Sequence, residues 1–299
     1  MEPKTVFVIG AGLMGGGIAQ ISAQAGYETK LFDINKEALA LGMESINKSL
    51  GKFLERGRIT QEQVDSALAN LSVTNEMADA KDFDIIIEAV YENVDLKQKI
   101  FRELDDLCKP DAILATNTSA ISISKIASVT KRPDKVVGLH FFSPVPLMKL
   151  VEVISGVKTS SETIDIITKV GQNFGKTTVF VKKDFGGFIV NRIYLPYIRM
   201  ALLTLTEGVA NVEEIDQAIK LGLGYPMGPF ELGDMVGWDI LHNAMNAIYH
   251  DTDDTAFAPP LLLKRFVDAG VLGQKAGEGV YLYDEKNKRI GINPKLSIL

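Results

Sequence analysis

TVFVIGAGLMGGGIAQISAQA, residues 5–25, is the stretch that decides the fold. Its first five residues form an unbroken β-branched and aromatic run, the pattern of a strand covered on both faces. Gly10, Ala11, Gly12, Leu13, Met14 and Gly15 follow without a spacer, and helix-forming sequence then continues to about Ala25. A GxGxxG string is weak evidence alone, but a strand before it and a helix after it supply the context of a dinucleotide-binding turn. Gly10 permits the tight turn, Gly12 lets the backbone approach a pyrophosphate, and Gly15 lets helix and strand pack closely. The phosphates would rest on the free amides of the helix N-terminus, at Leu13 and Met14. A second strand, residues 28–32, ends at Asp33, where a carboxylate binds the adenosine ribose hydroxyls and repels a 2′-phosphate. NAD is therefore expected rather than NADP. The competing reading is a glycine-rich turn of another α/β protein, with the aspartate there by chance.

Working outward, helices are expected over residues 36–56, 61–69 and 94–107, and strands over 71–74, 83–89 and 112–115. Lys48, Lys52 and Arg56 recur at i, i+4 spacing and put three cations on one stripe of the first helix. The stripe reads either as a solvated face or as a holder for the phosphates of a large anionic substrate. Glu88 and Glu92 fall at the C-terminal end of a strand, the end at which open α/β sheets bind ligands. Asn117 and Ser119 follow the next strand, where loop amides and hydroxyls can enter the same crevice or simply cap a helix beginning near Ser122.

Residues 136–140 and 150–154 are short apolar runs separated by Ser143, Pro144 and Pro146, which reads as strand, turn, strand. Antiparallel pairing about Pro146 brings His140 and Glu152 together. A carboxylate beside an imidazole fixes its tautomer and stabilises the imidazolium, which suits the histidine to act as a base. The plainer alternative is a strand-end histidine and an unrelated exposed glutamate. A helix over residues 162–174 and a strand over 177–181 complete this part.

Beyond residue 184 the alternation of strand and helix stops. The chain is expected to be an α/β protein with a Rossmann-like, mostly parallel sheet over residues 1–184, followed by an all-α domain over 185–299. Two domains also suit a length of 299 residues. Helices are expected over residues 189–209, 212–221, 231–249 and 260–269, with GLGYPMGPFELG (222–233) as a rigid connector. Asn191 and Arg192 are polar exceptions in the first turn of a long apolar helix. An amide there caps the helix or donates to a substrate oxygen. His242 and His250 lack a metal-ligand pattern and read as structural or surface residues, so no metal is expected.

A net charge of −6 with pI near 5.3 argues against nucleic acid or an anionic membrane as partner of the whole surface. No apolar stretch is long enough to span a bilayer, and the N-terminus enters a strand with no signal-type apolar region. The single cysteine, Cys108, suits a reducing compartment, so a cytoplasmic location is expected.

Taken together, GAGLMGGGIAQ, ENVDLK, TNTSAISIS, HFFSPVPLMKLVEVI, GFIVNR, LGLGYPMGPFELGDMVG and GQKAGEGVYLY resemble the L-3-hydroxyacyl-CoA dehydrogenases, most of all the bacterial 3-hydroxybutyryl-CoA enzymes. The likeness runs from Lys4 to about Tyr283. It implies a Rossmann-like domain, a helical domain forming the interface of a homodimer or dimer-based oligomer, and an acyl-CoA substrate held between domains. It also implies reversible, NAD-dependent oxidation of an (S)-3-hydroxyacyl-CoA to the 3-ketoacyl-CoA. That chemistry serves fatty-acid breakdown in one direction and butyrate formation in the other. Matched residue by residue, His140 and Glu152 are the catalytic pair, with Ser119 and Asn191 on the substrate. Ser49, Lys52 and Arg56 fall in the segment that contacts coenzyme A. The glycine turn, Asp33, Glu92, Lys97, Asn117, Ser119, Ser143 and Lys275 fall on the NAD side. The sequence departs from the family at Ser143, usually asparagine, and at Gly187, usually proline. Two other readings remain: a dehydrogenase of the same fold for a hydroxy acid without CoA, and a non-catalytic NAD-binding structural protein.

Overall fold

The computed structural model describes residues 3–296, and the chain divides after Phe188 into two compact units. The first contains β1 (Thr5–Ile9), α1 (Leu13–Gln24), β2 (Glu28–Phe32), α2 (Lys36–Glu55), α3 (Gln61–Ala69), β3 (Leu71–Thr74) and β4 (Ile85–Glu88). It continues with α4 (Val94–Leu107), β5 (Ile113–Thr116), α5 (Ile123–Ala127), β6 (Val136–Phe141), β7 (Leu150–Ser155), α6 (Ser161–Asn173) and β8 (Thr177–Val181). The strands form one sheet in the order β3-β2-β1-β4-β5-β6-β7-β8. All neighbours are parallel except β6 and β7. The order reverses at β1, between β2 and β4, which is where such sheets open a ligand crevice.

Side chains of β1 alternate between two cores, as a strand with both faces covered requires. Val6 and Val8 pack with Ile18 and Leu31 on one face, and Phe7 and Ile9 with Phe101 and Leu104 on the other. Val6, Phe7 and Val8 have no exposed surface, and each contributes about 1.5–3 kcal/mol by burial. The helices start where short polar side chains close them. Asn35 accepts from the amides of Glu37 and Ala38 ahead of α2, Thr60 and Gln63 form a capping box on α3, and Asn93 accepts from Leu96 on α4.

The second unit holds α7 (Val190–Thr206), α8 (Val212–Leu223), α9 (Pro229–Val236), α10 (Trp238–Thr252), α11 (Leu261–Asp268) and a small antiparallel hairpin of β9 (Tyr281–Tyr283) and β10 (Arg289–Ile292). It is helical as expected, but three details differ. The helix expected over 231–249 is two helices, because Gly237 has φ +105°, which ends α9 and starts α10 in a new direction. The supposed connector 222–233 is partly helical, since Pro229 occupies the first position of α9, where its missing N–H costs nothing. The hairpin, unforeseen in the sequence, is nailed to the helices by a buried carboxylate. Asp234 accepts from Val280 N and Tyr281 N, both at 2.8 Å, from Trp238 Nε1 at 2.6 Å and from the Tyr283 hydroxyl at 3.0 Å. Among the described residues no helix is long and apolar enough to cross a membrane.

Candidate active site

In the first unit the turn after β1 has the geometry its glycines suggest. Gly10 has φ +103°, a Cβ on Gly15 would collide with the Gly10 carbonyl, and a Cβ on Gly12 would meet only open space. No side chain caps α1, so its first amides are left for a ligand. Asp33, at the end of β2, accepts from Ala11 N at 2.8 Å through Oδ2 and from Asn35 N at 3.0 Å through Oδ1, which fixes its carboxylate beside the turn. An unobstructed backbone, free amides and an anchored acid are what a dinucleotide's pyrophosphate and ribose require. The residues present therefore fit NAD.

His140 and Glu152 are directly opposite partners on β6 and β7. Because Leu139 and Phe141 point into one core, His140 faces the other side of the sheet, and Glu152 with it. His140 Nδ1 lies 2.7 Å from Glu152 Oε2 and Nε2 lies 3.1 Å from Ser119 Oγ, with both ionisable side chains almost fully buried. An ionised carboxylate has only acceptors, which assigns the ring proton to Nδ1 and leaves Nε2 as the acceptor. Two aromatic rings flank the imidazole: Phe142 at 4.6 Å and Phe188 at 5.6 Å between centroids. Phe188 and Gly187 have φ +51° and +79°, so the glycine at 187 occupies a conformation that proline, fixed near −65°, cannot adopt.

The Ser119 turn is held by Glu92, whose Oε1 accepts from the Thr118 hydroxyl at 2.5 Å and from the amides of Ser119 at 2.9 Å and Ala120 at 3.0 Å. Asn117 accepts from Phe141 N at 2.9 Å, tying the end of β5 to the end of β6. Lys97, expected among the cofactor contacts, is 1% exposed and reaches no open space. Its Nζ lies 2.6 Å from Glu88 and 3.5 Å from Glu92, so it serves the site by holding these two acids in place. Glu88 also accepts from Val90 N and from the Thr116 hydroxyl, both at 2.7 Å.

Gly12, Leu13, Lys48, Ser49, Lys52 and Arg56 line one cavity of about 630 Å³, together with the loop Pro144–Leu147 that follows β6. That volume is in the range of small-molecule sites. The cation stripe on α2 thus faces a shaped space that continues from the glycine turn. Ser143 precedes the loop and is exposed.

In the second unit, Asn191 occupies the first turn of α7. Lys275 is gripped by both oxygens of Asp239, at 2.6 and 2.7 Å. Cys108 is buried, and desolvation, opposed by Arg132 and aided by Asp105, pushes its thiol up to about 11, which disfavours the reactive thiolate. Among the described residues no group of His, Cys, Asp and Glu is arranged to hold a metal. The ring pair around His140 and the role of Lys97 escaped the sequence reading; adjacent aromatics in HFF were the one available signal.

Comparison with known proteins gives a consistent answer. Residues 5–185 match the model for the 3-hydroxyacyl-CoA dehydrogenase NAD binding domain, and residues 187–283 match that for the C-terminal domain of the same enzymes. A probable 3-hydroxybutyryl-CoA dehydrogenase of Bacillus subtilis is 44% identical over 286 residues, covering 96% of this chain and 99% of the relative. The 3-hydroxybutyryl-CoA dehydrogenase of Clostridioides difficile is 44% identical over 278 residues, with 93% and 99% covered. Among solved structures, the (S)-3-hydroxybutyryl-CoA dehydrogenase of Ralstonia eutropha superposes with a TM-score of 0.89 at 41% identity, covering 95% of this chain and all (100%) of that one. FadB2 of M. tuberculosis does so with a TM-score of 0.91 at 40% identity and the same coverage, 95% and 100%. With both of its parts matched and relatives this similar along nearly the whole length, the chain belongs to the 3-hydroxyacyl-CoA dehydrogenase family.

Proposed function

We propose that the chain interconverts (S)-3-hydroxybutyryl-CoA and acetoacetyl-CoA, with His140 as general acid/base and Glu152 as its partner. The observation that carries the proposal is the buried chain Glu152–His140–Ser119, with one imidazole nitrogen committed to a carboxylate and the other to a hydroxyl. NAD, when bound, supplies the acceptor for the hydride lost from C3. Gly10, Gly12, Leu13, Met14, Gly15 and Asp33 hold it, with Glu92, Asn117, Ser119 and Ser143 from neighbouring loops and Lys275 from the second unit. In the oxidation direction the substrate hydroxyl replaces or shares the Ser119 contact at Nε2, and its proton passes to that nitrogen as the C3–O bond becomes a carbonyl. Glu152 then faces an imidazolium, whose charge it stabilises across a short bond in a dry site. In reduction the same proton returns to the oxygen. Ser119 and Asn191 orient that oxygen, and Ser49, Lys52 and Arg56 take the coenzyme A phosphates.

We assign NAD binding to residues 1–184, and completion of the substrate site and the dimer interface to residues 185–299. A homodimer is supported by apolar side chains left exposed on α7 and α8, among them Ile193 at 68% and Leu221 at 77%. The single buried thiol and the absence of a spanning helix among the described residues support a cytoplasmic setting.

Absorbance of NADH, followed with acetoacetyl-CoA and then with free acetoacetate, tests the substrate class. Rapid oxidation with the thioester alone is expected. Equal or faster oxidation with the free acid would give the site to a CoA-independent dehydrogenase, and no oxidation with either would remove the catalytic reading.

A further inference from the structure

Asn117 and Ser119 of the TNTS stretch have places in the proposed site, whereas Thr116 and Thr118 have none, and yet neither threonine has any exposed surface. Burial alternates along the extended backbone here, the two threonines inside and Asn117 and Ser119 partly exposed. The Thr116 hydroxyl donates to Glu88 Oε2 at 2.7 Å and accepts from Thr118 N at 3.3 Å. The Thr118 hydroxyl donates its one proton to Glu92 Oε1 at 2.5 Å and accepts from Ile121 N at 2.9 Å and, more weakly, from Ala120 N at 3.4 Å. One proton and two lone pairs are all that a hydroxyl has, so this one is fully committed.

The oxygen that Thr118 reaches decides the matter. Glu92 Oε1 also accepts from Ser119 N at 2.9 Å and Ala120 N at 3.0 Å, so one carboxylate oxygen gathers a threonine hydroxyl and the next two amides of the turn. Ser119, held in this way, places its own hydroxyl 3.1 Å from His140 Nε2. A threonine that only shaped the turn would close on the amide of Ile121 and need nothing from Glu92. We propose that Thr118 is a positioning residue for the reaction: its hydroxyl, through Glu92, sets the place of the Ser119 hydroxyl at His140, and with it the place of the substrate oxygen that meets both. The proposal rests on the dehydrogenase reading of this site and adds to it a residue that acts through another. Removing the hydroxyl takes a donor from Glu92 and the acceptor from Ile121 N, which frees the turn at both ends.

The test is a double-mutant cycle in the full-length protein, with kcat and KM measured for acetoacetyl-CoA and NADH binding followed by fluorescence. Thr118→Val keeps the branched shape and removes the hydroxyl. It should lower kcat about tenfold or more, since a misplacement on the order of 1 Å can cost about 10²-fold, and leave NADH affinity and KM for acetoacetyl-CoA within about threefold. Thr118→Ser, which retains the hydroxyl, should hold kcat within about threefold of wild type. Added to Ser119→Ala, Thr118→Val should cost less than about twofold more, because the group it acts through is already gone. Should Thr118→Val not fold, Thr118→Ala removes the same hydroxyl without adding a methyl group beside Glu92 and passes through the same cycle. An unchanged kcat, no retention by serine, a loss that multiplies in full onto that of Ser119→Ala, or a loss of NADH affinity as large as that of kcat overturns the proposal. A merely stabilising threonine would lower the melting temperature and show none of that coupling. Wild-type turnover of acetoacetyl-CoA with kcat unmoved in Thr118→Val ends this proposal alone, whereas no wild-type turnover ends the dehydrogenase reading beneath it.

Discussion

Replacing Glu152 with Gln isolates the electrostatic part of the His140 pairing. The amide is nearly isosteric and its oxygen can still accept from Nδ1, so ring position and tautomer are kept while the charge is lost. The bond in question is 2.7 Å long between side chains almost wholly out of water. A hydrogen bond to a charged group contributes about 1.5–3 kcal/mol and a neutral one about 0.5–1.5, so the imidazolium loses about 1–2 kcal/mol of support. That corresponds to roughly 5–30-fold in the rate of a step that places positive charge on the ring. Initial rates of 3-hydroxybutyryl-CoA oxidation measure the loss. An unchanged rate would refute the claim that Glu152 acts through charge on His140.

Other consequences follow from the same geometry. Lys97→Met leaves Glu88 buried without its cation and should cost about 3–5 kcal/mol in urea unfolding, as for other broken buried pairs; a loss below about 1 kcal/mol would contradict it. Phe188→Leu keeps an apolar side chain but removes the ring flanking His140; it should lower kcat several-fold with KM for NAD unchanged, and an unaltered kcat would end that positioning role. Asp84 is pulled below its usual range: burial raises it, but Lys109 and the amides of Lys4 and Thr5 outweigh that. Its stabilisation is therefore complete above the ordinary carboxylate range and fades as pH falls through the lowered value. Asp84→Asn should show a shallower loss of melting temperature on acidification, and an identical acid slope would show that the carboxylate is not responsible.

How much of this was legible depended on how local the cause was. The β1 run, the glycine turn and Asp33 lie within one βαβ segment, and each follows from backbone sterics over a few residues, so their places could be read directly. The His140–Glu152 register needed only a turn centre at Pro146 and the alternation of a strand. The contacts around the imidazole are different in kind. Glu92 reaches the Ser119 turn across two adjacent strands, β4 and β5, and Phe188 reaches His140 from the far end of the unit, so no local pattern announces them. Lys97 is similar: a lysine in the first turn of a helix carries no local sign of burial, yet Glu88 draws it inside. The break at Gly237 was hidden because glycine within an apolar helical pattern is tolerated as often as it terminates one. The β9–β10 hairpin owes its place to Asp234, some fifty residues earlier in the chain.

The most direct test of the account is His140→Gln, assayed by NADH oxidation with acetoacetyl-CoA alongside NADH binding by fluorescence. With its general acid/base removed, kcat should fall by about 10²–10⁴ while NADH affinity is retained. Turnover close to wild type with the cofactor still bound would contradict the account.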